Sequence, residues 1–262
     1  MTLLLQNKNI IVYGAGGGIG GGVARTFARE GARLFLAGRT RKSLEEVAAD
    51  IVAEGGSAEV AELDALDERA VDEHARAVAA EAGSIDVSFN LISRGDVQGI
   101  PLVDMTVADF TRPITNGVLS SFLTARAAAR HMIPQGSGVI LHLTSGSSAG
   151  AMPGMGGTGP ADAATENFMR YLAAEVGPHG VRVVGLWTAG VVETLTREKL
   201  VKVGGEGVPD LETIKGMLAG MTMLRRAPRL DQVADLAAFL ASDRASGITG
   251  TIANVTCGMV AR

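Results

Sequence analysis

The chain has 262 residues, 47% of them hydrophobic, 20% charged and 4% aromatic, with 35 glycines; this describes a turn-rich globular domain and excludes disordered and fibrous chains. A net charge of −4, with Lys and Arg scattered, leaves no electrostatic footprint for nucleic acid or an anionic membrane, so a small molecule is the expected partner. The opening MTLLLQNKN is too poor in apolar residues for a signal-peptide core, no run approaches a membrane span and Cys257 is alone, so the expected location is the cytoplasm.

In chain order, the first expected strand, residues 9–13, leads into a helix at 20–30 through Gly14-Ala15-Gly16-Gly17-Gly18-Ile19-Gly20. Glycines there let backbone N–H groups approach a pyrophosphate at the positive end of a helix. Gly16, Gly18 and Gly21 fit the G-x-G-x-x-G spacing, while Gly14, Gly18 and Gly20 fit G-x-x-x-G-x-G, so spacing alone leaves the family open. The second strand, 33–37, ends Ala37-Gly38-Arg39 before a helix at 41–54. An acidic residue at this strand end would hydrogen-bond a ribose 2′-OH. Gly38 instead leaves room, and Arg39, with Arg41 nearby, suits a 2′-phosphate, so NADP(H) is expected over NAD(H).

Strands follow at 58–63, 86–91, 138–144, 181–187 and 249–255, alternating with helices at 68–82, 118–132, 161–176 and 231–241. With right-handed crossovers this predicts a single-domain, doubly wound, Rossmann-like α/β fold: a parallel seven-stranded sheet with helices on both faces. Residues 191–229 break the alternation. They carry Gly204, Gly205, Gly207 and Pro209 before Met217, Met221 and Met223, and read either as a substrate lid or as a surface excursion.

Nearly the whole chain resembles the short-chain dehydrogenase/reductase family. The glycine turn matches in form and position; Asp64, followed by Ala65, falls where that family contacts adenine; and Asn90, followed by Leu91, matches the start of its Asn-Asn-Ala-Gly strand end. Asn116 matches the family's helix asparagine and Ser145 its catalytic serine, while Ala189-Gly190 with Thr194 resembles its Pro-Gly-x-x-x-Thr nicotinamide loop. The resemblance implies cofactor contacts at residues 14–20, Arg39, Asp64, Ala65, Asn90, Leu91 and Thr194, catalysis around Ser145 and Asn116, and a homotetramer or homodimer.

It breaks at the family's Tyr-x-x-x-Lys pair, whose positions fall on Thr158 and Asp162; the only tyrosines are Tyr13 and Tyr171, and no lysine lies between Lys42 and Lys199. Hydride transfer to a carbonyl builds an alkoxide that a positioned acid must protonate. A threonine hydroxyl is too weak an acid for this, and a neighbouring carboxylate raises its pKa further. Leu91-Ile92-Ser93 in place of Asn-Ala-Gly, and Thr256-Cys257-Gly258 in place of Asp-Gly-Gly, are further departures.

Asp162 reads in two ways: a desolvated carboxyl that donates a proton or binds ribose hydroxyls, or a first-turn acid favoured by the helix dipole after Pro160. Ser145 can polarise a substrate oxygen or be a satisfied loop serine. His142, three residues earlier on the strand, falls on the opposite face, which argues against a Ser–His dyad. His74, His131 and His179 are isolated, so no metal site is expected. The loop 146–159, with Met152 and Met155 among glycines, is either an apolar pocket wall or a flexible loop. Three activities follow: an NADP(H)-dependent oxidoreductase on a carbonyl, alcohol or related substrate, with Thr158 and Asp162 at the site of a rearranged proton relay and the proton supplied by water or Asp162; a non-catalytic dinucleotide-binding pseudoenzyme or partner subunit; or a non-redox cyclase or dehydratase using the same pocket.

Overall fold

The computed structural model describes residues 3–150 and 152–261; Met1 and Thr2 of the opening stretch and Ala151 of the glycine-rich loop lie outside the described residues. Apolar runs of strand length alternate with helices in the order β1 (Asn9–Tyr13), α1 (Gly18–Arg29), β2 (Arg33–Gly38), α2 (Arg41–Ala53), β3 (Ser57–Glu62), α3 (Glu68–Ala82), β4 (Val87–Asn90) and α4 (Val107–Gln135). The second half continues as β5 (Gly138–Ser145), α5 (Thr158–Val176), β6 (Val181–Thr188), α6 (Arg197–Gly204), α7 (Leu211–Gly220), α8 (Leu230–Ala241) and β7 (Thr251–Asn254). Every strand pairing is parallel, in the order β3-β2-β1-β4-β5-β6-β7. This is the single-domain, doubly wound fold expected from the sequence.

The strand period of two sends alternate residues to two cores. Ile10, Val12, Leu34 and Leu36 cluster with Phe27 of α1, Leu44 of α2 and Ala237 of α8. Ile11, Tyr13 and Phe35 cluster with Val71 of α3, Leu123 of α4 and Met169 of α5. Each such fully buried side chain contributes about 1.5–3 kcal/mol. Helix order reverses between β1 and β4, and the crevice at their carboxyl ends is where open α/β sheets hold ligands.

Two elements depart from the sequence pattern. Helix α4 starts at Val107 rather than near residue 118, running through Pro113 and Gly117. Thr106 makes the start: its hydroxyl accepts from the Asp109 N–H at 3.1 Å and donates to the Asp109 carboxylate at 2.7 Å. Pro113 is buried early in the helix, where its missing N–H costs one backbone bond. The segment 191–229 is strandless, as expected, but contains the helices α6 and α7, neither of which fully buries a residue. It is tied to the body by the Gln98 N–H to the Val203 carbonyl, at 2.8 Å. Among the described residues no helix is long and apolar enough to cross a membrane.

His142 lies under the sheet, 1% exposed and edge-on to Phe168, with no hydrogen-bond partner on either ring nitrogen. Burial lowers its pKa from 6.5 to about 4, and does the same to His74. Both imidazoles are therefore neutral in the folded chain while the unfolded chain protonates near 6.5, so stability falls as pH drops from about 6.5 toward about 4. At about 1.4 kcal/mol per unit, His142 alone accounts for up to roughly 3 kcal/mol of that loss. Urea unfolding across this range should show the decline, and His142→Leu should remove about half of it, leaving the part due to His74, while changing stability at pH 7 by no more than about 1 kcal/mol.

Candidate active site

β1 ends at Tyr13, and the chain turns through Gly14 at φ +78°, a left-handed conformation that favours glycine. A Cβ on Gly14 would stand 2.5 Å from the Leu91 carbonyl oxygen beyond β4, and one on Gly20 would stand 2.2 Å from the Gly14 carbonyl oxygen. The turn is thus pressed against the neighbouring strand end and its own helix. The amides of Gly18, Ile19 and Gly20 belong to the first turn of α1, where N–H groups have no intrahelical partner, and these residues line a cleft of about 1510 Å³. A backbone cradle without side chains at a positive helix end fits the diphosphate of a dinucleotide.

Gly14, Gly16 and Gly17 line the same cleft, as do Arg39, Asp64, Ala65, Leu91 and Thr194. Arg41 is engaged with Glu45 at 2.8 Å, whereas Arg39 is exposed and makes no hydrogen bond or ion pair among the described residues. Asn90, expected among the cofactor contacts, does not line this cleft and is buried beside the smaller cavity behind it. Its amide donates to Ser120 and Thr124, both at 3.3 Å, and its carbonyl accepts from the Ile92 N–H, because the side chain anchors β4 to α4. Lys199 of α6 had no signal in sequence. Its ammonium donates to the Thr194 carbonyl at 2.9 Å and would lie 3.2 Å from a Cβ on Gly18, beside the cradle.

At the other end of the cleft stand Ser145, Thr158 and Asn116. The Ser145 hydroxyl donates to Asp162 at 2.5 Å, and the Ser145 N–H donates to the same oxygen at 3.2 Å. The second Asp162 oxygen takes the Arg94 guanidinium at 2.5 Å, and Arg94 also binds Asp96 at 3.1 Å. Thr158 donates to Asp96 at 2.9 Å and accepts from Gln98 at 3.3 Å. Asn116 donates to the Arg94 carbonyl at 3.1 Å and so fixes the loop that carries the guanidinium.

α5 begins at Thr158, two residues before Pro160, so Asp162 lies past its first turn and is no solvated first-turn acid; its side chain is 0% exposed. Burial pushes its carboxyl up from the ordinary value, opposed by Arg94 and by the two Ser145 donors. For Arg94, burial acts to lower the pKa, but two flanking carboxylates outweigh it and the guanidinium is held charged. Arg94 and Asp96 escaped the sequence reading because the loop after β4 has no periodicity; the one clue was the altered Leu91-Ile92-Ser93 just before them.

Glu166, one turn beyond Asp162, is buried and accepts from Thr144 at 3.0 Å, Ser148 at 2.7 Å and Trp187 at 2.6 Å. Behind the cleft wall, a smaller cavity of about 200 Å³ is lined by His142 and Thr165 together with Arg94, Asp96 and Ser145. No group of three or more His, Cys, Asp or Glu among the described residues is placed to hold a metal.

A family model described as enoyl-(acyl carrier protein) reductase matches residues 14–260. Gluconate 5-dehydrogenase of Gluconobacter oxydans (strain 621H) is 30% identical over 255 residues, covering 97% of this chain and 95% of the relative. A solved 7α-hydroxysteroid dehydrogenase, complexed with NADH and 7-oxo glycochenodeoxycholic acid, is similar at a TM-score of 0.85 with 28% identity, over 98% of this chain and 96% of that one. NAD+-bound xylitol dehydrogenase is similar at 0.86 with 25% identity, over 97% and 99%.

Removing one member of a buried ion pair strands the other's charge. Arg94→Met should therefore destabilise the chain by about 3–5 kcal/mol, and adding Asp162→Leu should restore a substantial part of the loss, both read by urea unfolding at pH 7. A double variant no more stable than Arg94→Met would mean that packing, and not charge, sets the cost.

Proposed function

This chain belongs to the short-chain dehydrogenase/reductase family, and on that premise we propose that it is an oxidoreductase using NADP(H), in preference to NAD(H), on a small carbonyl, alcohol or related substrate. What supports this above all is the glycine cradle at the start of α1 opening toward an unengaged Arg39. The amides of residues 18–20 bind the diphosphate, and Arg39 pairs with the 2′-phosphate. Asp64 and Ala65 wall the adenine end, Leu91 and Thr194 the nicotinamide end, and Lys199 adds positive charge from α6.

The bound nicotinamide supplies or takes the hydride. Around it, Ser145 and Thr158 orient the substrate's polar atom. Asp162, its carboxyl raised by burial and joined to the Ser145 hydroxyl, is the residue nearest to replacing the missing tyrosine–lysine relay. Residues 191–229 act as the substrate lid: Leu195, Val203, Leu218 and Met221 line the cleft, and a lid excludes the water that competes for a hydride acceptor. One observation favours the non-catalytic alternative, namely that both hydroxyls at the reactive end donate to carboxylates. Substrate-dependent oxidation of NADPH by the purified chain would dismiss it.

In calorimetry NADPH should bind at least about tenfold more tightly than NADH, and Arg39→Glu should reverse the order. Lys199→Ala should weaken both nucleotides alike by a few-fold, because the diphosphate is common to them. No heat with either nucleotide would overturn the cofactor assignment.

A further inference from the structure

The reactive end of the cleft holds one cation against two carboxylates. Arg94 lies between Asp96 and Asp162, at 3.1 and 2.5 Å, and the trio carries a net charge of −1. The two hydroxyls that line the cleft there have both given their protons inward, Ser145 to Asp162 and Thr158 to Asp96. Ser145 also accepts from the Ser147 N–H at 3.2 Å and Thr158 from Gln98 at 3.3 Å, so each presents its one remaining lone pair toward a substrate. An independent sign of unmet polar capacity lies in the adjoining cavity, which Arg94, Asp96 and Ser145 also line. Both nitrogens of His142 and the hydroxyl of Thr165, residues 1% and 3% exposed, face it without partners.

From this we infer that the substrate is a cationic C=N compound, an iminium ion, and its amine in the reverse direction, rather than a neutral ketone. The inference rests on the oxidoreductase reading above and narrows its substrate class. Reduction of a ketone would place a second negative charge beside a site already at −1, with no phenol to protonate it, and Asp162 could do so only by first taking up a proton against Arg94 and the two Ser145 donors. An iminium instead neutralises the site. A C–H bond forms at the iminium carbon with hydride from the dihydronicotinamide, which is oxidised; the C=N π pair passes to nitrogen and cancels its charge, and no proton moves. The missing tyrosine then has no step to perform. The rest of the wall, including Met152, Met155, Ile214 and Leu218, is apolar and suits a hydrocarbon ring around the charged nitrogen.

The test uses one ring skeleton in two charge states, N-methyl dihydroisoquinolinium and the neutral ketone tetralone, with the purified full chain and NADPH. The iminium should be reduced with kcat/KM at least about tenfold above the ketone. By calorimetry, the saturated N-methyl tetrahydroisoquinolinium should bind about tenfold more tightly than tetralone, and Asp96→Asn should remove most of that margin. This variant is close in shape and leaves Arg94 with Asp162, so the fold is retained. Faster turnover of the ketone, or ammonium binding indifferent to Asp96→Asn, would overturn the substrate class and leave the oxidoreductase reading standing. Absence of NADPH binding would instead overturn the oxidoreductase reading itself.

Discussion

Between β1 and β4 the winding of the sheet reverses, and backbone can enter the crevice there only where no Cβ stands. Gly14 must hold a positive φ beneath the Leu91 carbonyl, and Gly20 must pass within a carbon's width of the Gly14 carbonyl. That constraint places the first amides of α1 at the carboxyl edge of the sheet. The cofactor end, the strand end carrying Ser145 and the helices of 191–229 are all arranged around the same opening. A larger residue at either glycine would move α1 away from the sheet before it touched any ligand.

At the reactive end, charge arrives from an unexpected part of the chain. The buried carboxylate Asp162 comes from α5, and the cation beside it comes from Arg94 on the loop after β4. One buried guanidinium between two carboxylates is electrostatically coherent, since each acid offsets the desolvation of the base. The same arrangement turns the Ser145 and Thr158 hydroxyls inward, which changes what the cleft offers a substrate more than the loss of one phenol would.

The helices α6 and α7 are ordered without being built into the core. Neither fully buries a residue, and α6 is tied down by the Gln98–Val203 backbone bond and by Lys199 on the Thr194 carbonyl. Elements held by few contacts open at low cost.

The amino-acid sequence by itself determined the sheet, the order of the elements and the glycine turn, because period-two and period-3.6 patterning and the backbone freedom of glycine are local properties. It singled out Ser145, Thr158, Asn116 and Asp162 by their places in that framework, and counting residues showed two tyrosines and no lysine between Lys42 and Lys199. It did not reach the extension of α4 back to Val107, where a capping threonine overrides an internal proline. Nor did it reveal the burial of Asn90, the approach of Lys199 to Gly18, or Arg94 between Asp96 and Asp162. Those were decided by tertiary structure alone: an ion pair between residues 94 and 162 depends on the loop after β4 meeting the first part of α5, and no periodicity records which distant side chains will meet there.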